Sequence, residues 1–315
     1  MCNGHKSKLR FINYGVPQGS NLGPLLFLLY VNDLPKSSSL LHFILFADDT
    51  NVFYSHRSLD HLMDLVTSEL AAIANWFRAN KLSLNVSKTN FIVFHSHRKS
   101  ILNQRLVISI DNKAILQDKS AKFLGVYVDE HLTWKDHIAH ISNKVAKNVG
   151  IFSRISYLLP RNTLNNLYYS LIHLYLIYCN IGWASNYLTR LRKLVILQKG
   201  AIRVVAGVFY NAHTKQIFKD LRILQIHQIN EMERCVFRFR FENNLLPIAF
   251  RDFFTSVSDI HMHNTRTKDH YRTDFAHVYS RLNAVAQSHG TVWAHMHLPS
   301  DIRRSRIPST YLKQQ

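Results

Sequence analysis

Two adjacent carboxylates, Asp48 and Asp49, follow an apolar run and are the side chains best suited to chemistry. Carboxylate oxygens are ligands that Mg²⁺ prefers, together with the phosphate oxygens of a substrate. Two such ions, about 3.5–4 Å apart, can bind the attacking and the leaving oxygens of a phosphoryl transfer. An Asp-Asp pair is also common in plain hairpin turns. The pair alone therefore leaves a metal-binding turn and an ordinary turn open.

The elements around this pair predict a β-hairpin. Short apolar runs at His42–Phe46 and Asn51–Tyr54 flank residues 47–50, which we interpret as the turn. A helix with apolar residues at helical spacing follows from Ser58. The hairpin turn is thus expected to stand at the end of a buried strand.

A glycine-rich loop, residues 15–23, precedes the hairpin. Its glycine and proline residues interrupt regular structure, and glycine lets a ligand approach the backbone closely. Pro24 suits a helix start, and Leu25–Val31 is apolar throughout, so we predict that this helix is buried.

The rest of the chain changes from mixed to mainly helical. Short strands are predicted at 91–94, 107–110 and 123–128, and helices from Lys135 onward, interrupted at Pro160 and Gly182. Strands and helices do not alternate regularly, which predicts an α+β fold with an irregular C-terminal segment.

The charge of the chain indicates an anionic partner. The formal charge is +19, and residues 137–219 contain eleven Lys or Arg and no Asp or Glu. Like charges at helical spacing repel, so such a segment favours contact with a nucleic-acid backbone. A lipid surface fits less well, because the helices here are apolar all round. The predicted backbone contacts are Lys144, Lys147, Arg190, Arg192, Lys193, Lys199 and Arg203.

Composition excludes several other classes. A hydrophobic content of 47% argues against disorder. The three cysteines form no CxxC pair, which excludes a disulfide framework and a Cys-rich zinc finger and favours a reducing, intracellular compartment. No apolar stretch reaches the roughly 20 residues of a membrane span, and the polar N-terminus predicts no signal peptide. Cys179, predicted to lie in an apolar helix, is expected to behave as a small hydrophobe.

Histidine pairs at two-residue spacing form a further candidate. On a strand, both rings of such a pair could bind zinc. No cysteine lies nearby in sequence to complete a set, so we interpret them as exposed polar side chains. The pairs are His95 and His97, His261 and His263, and His295 and His297.

The motifs together resemble the reverse transcriptases of non-LTR (LINE-type, Jockey-like) retrotransposons. The similarity is carried by Gly15-Val-Pro-Gln-Gly-Ser-Asn-Leu-Gly-Pro-Leu-Leu-Phe27 and Phe46-Ala-Asp-Asp-Thr50 in this order. It continues through Asn80-Lys-Leu-Ser-Leu-Asn85 and Phe123-Leu-Gly-Val-Tyr-Val128. It implies a partial palm of antiparallel sheet with packed helices and a primer-grip hairpin at 1–130, a basic helical thumb at 131–240 and a post-thumb segment at 241–315.

The resemblance also implies roles. The implied activity is RNA-directed DNA polymerisation with Mg²⁺, or Mn²⁺ in its place, on an RNA template, a DNA primer and deoxynucleoside triphosphates, in the nucleus and without a membrane. Asp48 and Asp49 would be catalytic metal ligands, and Lys88 would protonate the leaving pyrophosphate. The implied nucleotide and template contacts are Gly15, Gln18, Gly19, Ser20 and Ala47, and the implied primer grip is Leu124 and Gly125.

One departure from the family pattern bears on activity. The family carries a third metal-binding Asp upstream of the glycine-rich loop, and none of the fourteen residues before Gly15 is acidic. We therefore expect an N-terminally truncated polymerase without fingers, inactive on its own. A non-catalytic RNA- or DNA-binding module and a decayed retroelement fragment remain as alternatives.

Overall fold

A computed structural model describes residues 19–56, 58–95, 106–186 and 188–250, and the short strands β8 (Thr255–Ser256) and β9 (Tyr271–Arg272). They belong to two compact units, the first formed by 1–91 and 101–118 and the second by 92–100 and 119–315. Helices and strands are mixed in the described residues, which confirms the predicted α+β class at that level. The division at residues 130 and 240 stays a prediction.

The described residues of the first unit contain two α-helices and five strands. Their bounds are α1 (Leu22–Val31), β1 (His42–Phe46), β2 (Asp49–Phe53), α2 (Leu59–Ala79), β3 (Asn90–Phe91), β4 (Ile108–Ile110) and β5 (Lys113–Gln117). Strands β1 and β2 form an antiparallel hairpin, and β3, β5 and β4 form a three-stranded sheet in that order.

Helix α2 supplies residues to both cores of this unit. Ile73 is buried with Leu34 and Leu41, against which the hairpin side chains Phe43 and Leu45 pack. Ala74 is buried in a second cluster whose other members are isoleucines of β4 and β5. Because adjacent residues of a helix face different directions, α2 holds the hairpin and the sheet through different sides.

Helix α1 differs from the prediction of a buried helix. Only Val31 is buried, and Leu22, Leu25 and Leu29 are more than half exposed. The helix is tied to α2 at its C-terminal end, where the Tyr30 hydroxyl donates a hydrogen bond to the Asn80 carbonyl. An apolar sequence thus forms the predicted helix, although no described segment covers most of it.

The second unit begins with a hairpin and continues as helices. The hairpin is β6 (Ser120–Phe123) and β7 (Val126–Asp129). The helices are α3 (Lys135–Ile155), α4 (Arg161–Tyr168), α5 (Leu174–Ile177), α6 (Asn180–Trp183), α7 (Leu188–Ala206), α8 (Thr214–Asp220) and α9 (Ile226–Glu242), and a π-helical turn at Tyr169–His173 joins α4 to α5.

One large core holds these helices together. Phe152, Tyr168 and Trp183 are fully buried in it, and Val126 brings the hairpin into the same cluster. Gln198 supplies the polar bonds: its amide donates to the Tyr168 hydroxyl and its carbonyl oxygen accepts from the Ile226 N–H. Burial raises the pKa of Tyr168 to about 12.

Two predictions for this unit are corrected. Gly182 lies inside the short helix α6, and the helical break comes earlier, at Cys179, which has a φ of 49°. Cys179 is exposed and directly precedes α6, so it does not lie within an apolar helix as predicted. The predicted break at Pro160 is confirmed, because α4 begins directly after it.

A buried carboxylate organises the connection between β7 and α3. Asp129 accepts hydrogen bonds from the backbone N–H groups of Thr133, at 2.9 Å, and Trp134, at 2.6 Å. Leu132 and Trp134 have φ values of 50° and 61°, which side chains disfavour. The carboxylate offsets that strain and satisfies donors at the helix start.

Replacing Asp129 by Ala is expected to lower the free energy of unfolding by about 2–4 kcal/mol, because two buried N–H groups lose their acceptor. Denaturant melts of Asp129→Ala and wild type measure the effect. Asp136→Ala, which removes an acid from the first turn of α3, is the control and should cost under about 1 kcal/mol. Equal losses for the two variants would contradict this role of Asp129.

Candidate active site

The acidic pair stands at the tip of the β1–β2 hairpin. Phe46 pairs with Asp49, so Ala47 and Asp48 alone form the turn. The predicted second strand therefore begins two residues too late, since Asp49 is its first residue and pairs within the ladder. Both carboxylates are exposed, and among the described residues neither has an ion-pair partner.

Among the described residues, the strand leading to this tip is packed on one face. Phe43 and Leu45 pack against the buried cluster that contains Ile73 of α2. Ile44 and Phe46 point away from it and are exposed. Since alternate side chains of a strand point to opposite faces, the packed pair fixes the hairpin against the helix. Ala47 has a φ of 51°, so a small residue occupies the strained turn position.

These donors fit part of a Mg²⁺ site. The carboxylate oxygens of Asp48 and Asp49 are hard ligands, and the exposed tip leaves room for substrate phosphates. Within the described segments, no third carboxylate, imidazole or thiolate joins them at ligand distance. Within these segments, the acidic tip therefore offers two carboxylate ligands.

The described part of the glycine-rich loop leads directly into α1. Gly19 has a φ of 85°, a conformation that glycine adopts without cost. The Ser20 hydroxyl accepts a hydrogen bond from the Gly23 N–H at 3.1 Å and so satisfies a donor of the first helical turn. Gly15 and Gln18 lie outside the described residues. Lys88 ends a short 3₁₀ turn and is exposed.

The predicted primer-grip residues form the turn of the second hairpin. Leu124 and Gly125 have φ values of 45° and 86°, the pattern of a type I′ hairpin turn. Leucine is disfavoured at such an angle, and the Tyr178 hydroxyl supports it by donating a hydrogen bond to the Leu124 carbonyl.

The seven predicted phosphate contacts fall into two groups. Arg190 donates to the Thr133 carbonyl at 2.8 Å, and Arg203 donates to the Ala212 carbonyl at 2.9 Å, so each fastens a loop. Lys199 is half-buried. The exposed members are Lys144 and Lys147 of α3 and Arg192 and Lys193 of α7.

These exposed cations lie on two helices that pack together. The Lys193 ammonium donates to the Asn143 side-chain oxygen at 3.3 Å, which joins α7 to α3 beside Lys144. The four exposed cations can contact phosphates without any buried group having to become exposed.

A profile of the reverse transcriptase (RNA-dependent DNA polymerase) family matches residues 1–128, which include the acidic hairpin tip. Residues 1–128 belong to the reverse transcriptase family. The family is one of nucleotidyltransferases, and its match includes all the predicted catalytic and primer-grip positions.

Relatives of the reverse transcriptase region confirm the resemblance to non-LTR retrotransposon polymerases. The chain is 28% identical over 233 residues to the RNA-directed DNA polymerase from mobile element jockey of Drosophila melanogaster, covering 70% of this chain and 25% of that protein. It is 28% identical over 220 residues to the probable RNA-directed DNA polymerase from transposon X-element of the same fly, covering 67% and 24%.

A third relative is the retrovirus-related Pol polyprotein from type-1 retrotransposable element R1 of Bradysia coprophila, 26% identical over 146 residues, or 46% of this chain and 14% of that protein. The chain spans about a quarter of the length of the first relatives it matches. No solved structure matches it. Among the described helices, none is long and apolar enough to cross a membrane.

Sequence reasoning missed one residue at the predicted primer-grip turn, Tyr178. Tyr178 contacts Leu124 from 54 positions along the chain, and its ring lies 3.6 Å from where a Cβ on Gly125 would stand. No local pattern signals such a contact.

The histidine prediction is also corrected for His95, which is half-buried. The other members of the predicted pairs lie outside the described residues: His97, His261, His263, His295 and His297.

Proposed function

We propose that this chain is the palm-and-thumb part of an RNA-directed DNA polymerase of a non-LTR retrotransposon. The observation that carries the proposal is the Asp48–Asp49 hairpin tip within the residues matched by the reverse transcriptase family. The substrates would be an RNA template, a DNA primer and deoxynucleoside triphosphates, and the place of action the nucleus.

In the proposed reaction, the primer 3′-hydroxyl gives up its proton to water, its oxygen bonds to the α-phosphorus of the triphosphate, and the bond to pyrophosphate breaks. When bound, two Mg²⁺ ions would stabilise the charge on the attacking and leaving oxygens. Asp48 and Asp49 would hold them at the exposed tip. Lys88 would donate a proton to pyrophosphate. The template and the nucleotide would be contacted by Gly15, Gln18, Gly19, Ser20 and Ala47.

The primer would be held by the other unit. The turn at Leu124 and Gly125 would contact the primer end, and its strained geometry, supported by Tyr178, keeps the backbone in one position. The exposed cations of α3 and α7 would bind the duplex backbone. Arg190, Lys199 and Arg203 contribute less in this proposal, because they are half-buried and two of them hold loops.

The chain on its own is proposed to be inactive. Its described residues supply two carboxylates at the tip and no third ligand. Exposed apolar side chains on α1 and on the outer face of β1 also favour packing against a further polypeptide segment. Ile44 and Phe46 are the nearest such side chains to the carboxylates in sequence.

A second candidate is a nucleic-acid clamp without catalysis. It is favoured by the four exposed cations of α3 and α7, which need no metal. The two functions differ in what they require of Asp48, because a clamp binds duplex equally well without that carboxylate.

Binding of a recessed RNA–DNA duplex over a salt series tests the backbone contacts. We expect log affinity to fall steeply with log salt, since each phosphate contact releases counterions. Replacing Lys144, Lys147, Arg192 and Lys193 by Gln should reduce the slope by about 3–4, close to one for each contact removed. Fluorescence anisotropy measures both quantities, and Asp48→Ala should leave them unchanged.

The control is a variant with the same loss of charge elsewhere. Lys36, Lys81, Lys113 and Lys215 are also exposed, and replacing them by Gln should change the slope by less than about 1. If both quadruple variants reduce the slope equally, binding follows net charge alone, and the assigned surface is wrong.

A further inference from the structure

Three potential metal ligands meet beside the hairpin of the second unit. His95 follows β3 in the chain, and Glu130 and His131 follow β7 directly. The backbone joins these segments, because the His95 N–H donates to the Glu130 carbonyl at 3.1 Å. The Glu130 N–H donates in turn to the Lys119 carbonyl at 2.9 Å. The three side chains are thus held together by a fixed backbone.

The donor atoms converge. The Nε2 atoms of His95 and His131 each lie 3.8 Å from one of the two carboxylate oxygens of Glu130. One donor atom from each residue lies within 4.8 Å of the others. The side chains are 16%, 20% and 18% exposed for His95, His131 and Glu130, so they are largely shielded yet reachable by an ion.

Hydrogen bonding prepares one imidazole for a metal. The Nδ1 of His131 lies 3.0 Å from the His95 carbonyl oxygen. A carbonyl only accepts, so Nδ1 carries the proton and Nε2 is the ring atom that can bind a metal. This arrangement is the usual support for metal-binding histidine. The rings of His95 and His131 are edge to face, with centroids 4.5 Å apart.

We propose that His95, Glu130 and His131 bind one zinc ion. Two imidazole nitrogens and one carboxylate oxygen are a ligand set that zinc accepts, with a fourth position left for water. Zinc–ligand bonds of about 2.0–2.2 Å place tetrahedral donors about 3.3 Å apart, so donors that lie within 4.8 Å of one another need to approach by about 1.5 Å or less. Mg²⁺ prefers oxygen ligands and octahedral geometry, and fits this set poorly.

The ion would fasten residue 95 to the turn that follows β7. Asp129, which precedes Glu130, already fixes the start of α3 through two backbone hydrogen bonds. Zinc would add a second cross-link at the same turn and stabilise the β6–β7 hairpin. The site shares no residue with Asp48 and Asp49, so it does not depend on the proposed polymerase function.

Zinc titration of the whole chain tests the proposal. The chain is first stripped with a chelator, then titrated with zinc chloride in the presence of excess magnesium by isothermal calorimetry. We expect one tight site in wild type and at least a 100-fold weaker affinity in Glu130→Gln and in His131→Gln. His227→Gln, which alters an exposed histidine of α9, is the matched control and should keep the tight site.

Two further readouts separate a specific site from weak binding to the other histidines among the nineteen. Cobalt(II) in place of zinc should give the visible absorption of a tetrahedral ion in wild type and His227→Gln only. Zinc should also raise the melting temperature of these two proteins and leave the ligand variants unchanged. If one ligand variant fails to fold by circular dichroism, the other decides the outcome. Equal zinc affinity in wild type and a folded ligand variant would overturn the proposal.

Discussion

Asp48→Asn is expected to lower template-directed DNA synthesis by about a thousandfold or more. The substitution keeps the size of the side chain and removes the charge that holds Mg²⁺. Metal stabilisation of a phosphoryl transfer contributes several kcal/mol, and each 1.36 kcal/mol changes the rate about tenfold. Because Asp48 is exposed and lies in a two-residue turn, the folded hairpin should survive the change.

A chimeric polymerase provides the measurement. In the chimera, the matching 70% of this chain replaces its counterpart in the jockey protein of Drosophila melanogaster, and primer extension is followed on an RNA template with Mg²⁺. Asp33→Asn is the control, because Asp33 is also an exposed acid of the same unit and should retain full activity. The 315-residue chain alone should give no extension with Mg²⁺ or Mn²⁺.

Two results would contradict the proposed active site. Extension by the chain alone would mean that Asp48 and Asp49 need no further ligand. Activity of the Asp48→Asn chimera within tenfold of the Asp33→Asn chimera would remove Asp48 from the metal site. In the second case, duplex binding by α3 and α7 would remain as the better-supported function.

A loss of stability at mildly acidic pH is the second large expected effect, and it comes from His137. This ring is 2% exposed and packs edge-on against Trp183. Its Nδ1 accepts from the Tyr127 N–H at 3.4 Å, while its buried Nε2 has no hydrogen-bond partner among the described residues. Burial, reinforced by repulsion from His140, lowers the pKa of His137 from 6.5 to about 4.

The sign follows from proton linkage. Between pH 6.5 and about 4 the unfolded chain binds the proton and the folded chain does not, so stability falls as the pH falls. The full stability is present above pH 6.5. Near pH 4 the free energy of unfolding is lower by about 2–3 kcal/mol. Burial also lowers the pKa of His173, which adds a loss of the same sign.

Urea unfolding of wild type and His137→Gln at several pH values between 4 and 7.5 measures this effect. Glutamine keeps a polar side chain but does not titrate, so the variant should show a shallower pH dependence than wild type. His227→Gln, at an exposed position, should retain the wild-type slope. Parallel profiles for wild type and His137→Gln would show that His137 does not carry the acid sensitivity.

The sequence by itself determined the local elements and the family. Alternation and turn residues predicted the hairpin that carries Asp48 and Asp49, and helical spacing predicted the helix that starts after Ser58. The same motifs predicted the reverse transcriptase family that the profile match confirms. These features depend on neighbours within a few positions, and hydrophobic periodicity records such relations directly.

Only the tertiary structure decided which side chains are free to act. It left the leucines of α1 exposed, although their apolar run predicted burial. It assigned Arg190 to a loop carbonyl while leaving Lys193 exposed, and it brought His95 to His131 from 36 positions away. The exposure of a side chain and its hydrogen-bond partners depend on contacts between segments far apart in the chain. The periodicity of a short stretch of sequence does not report those contacts.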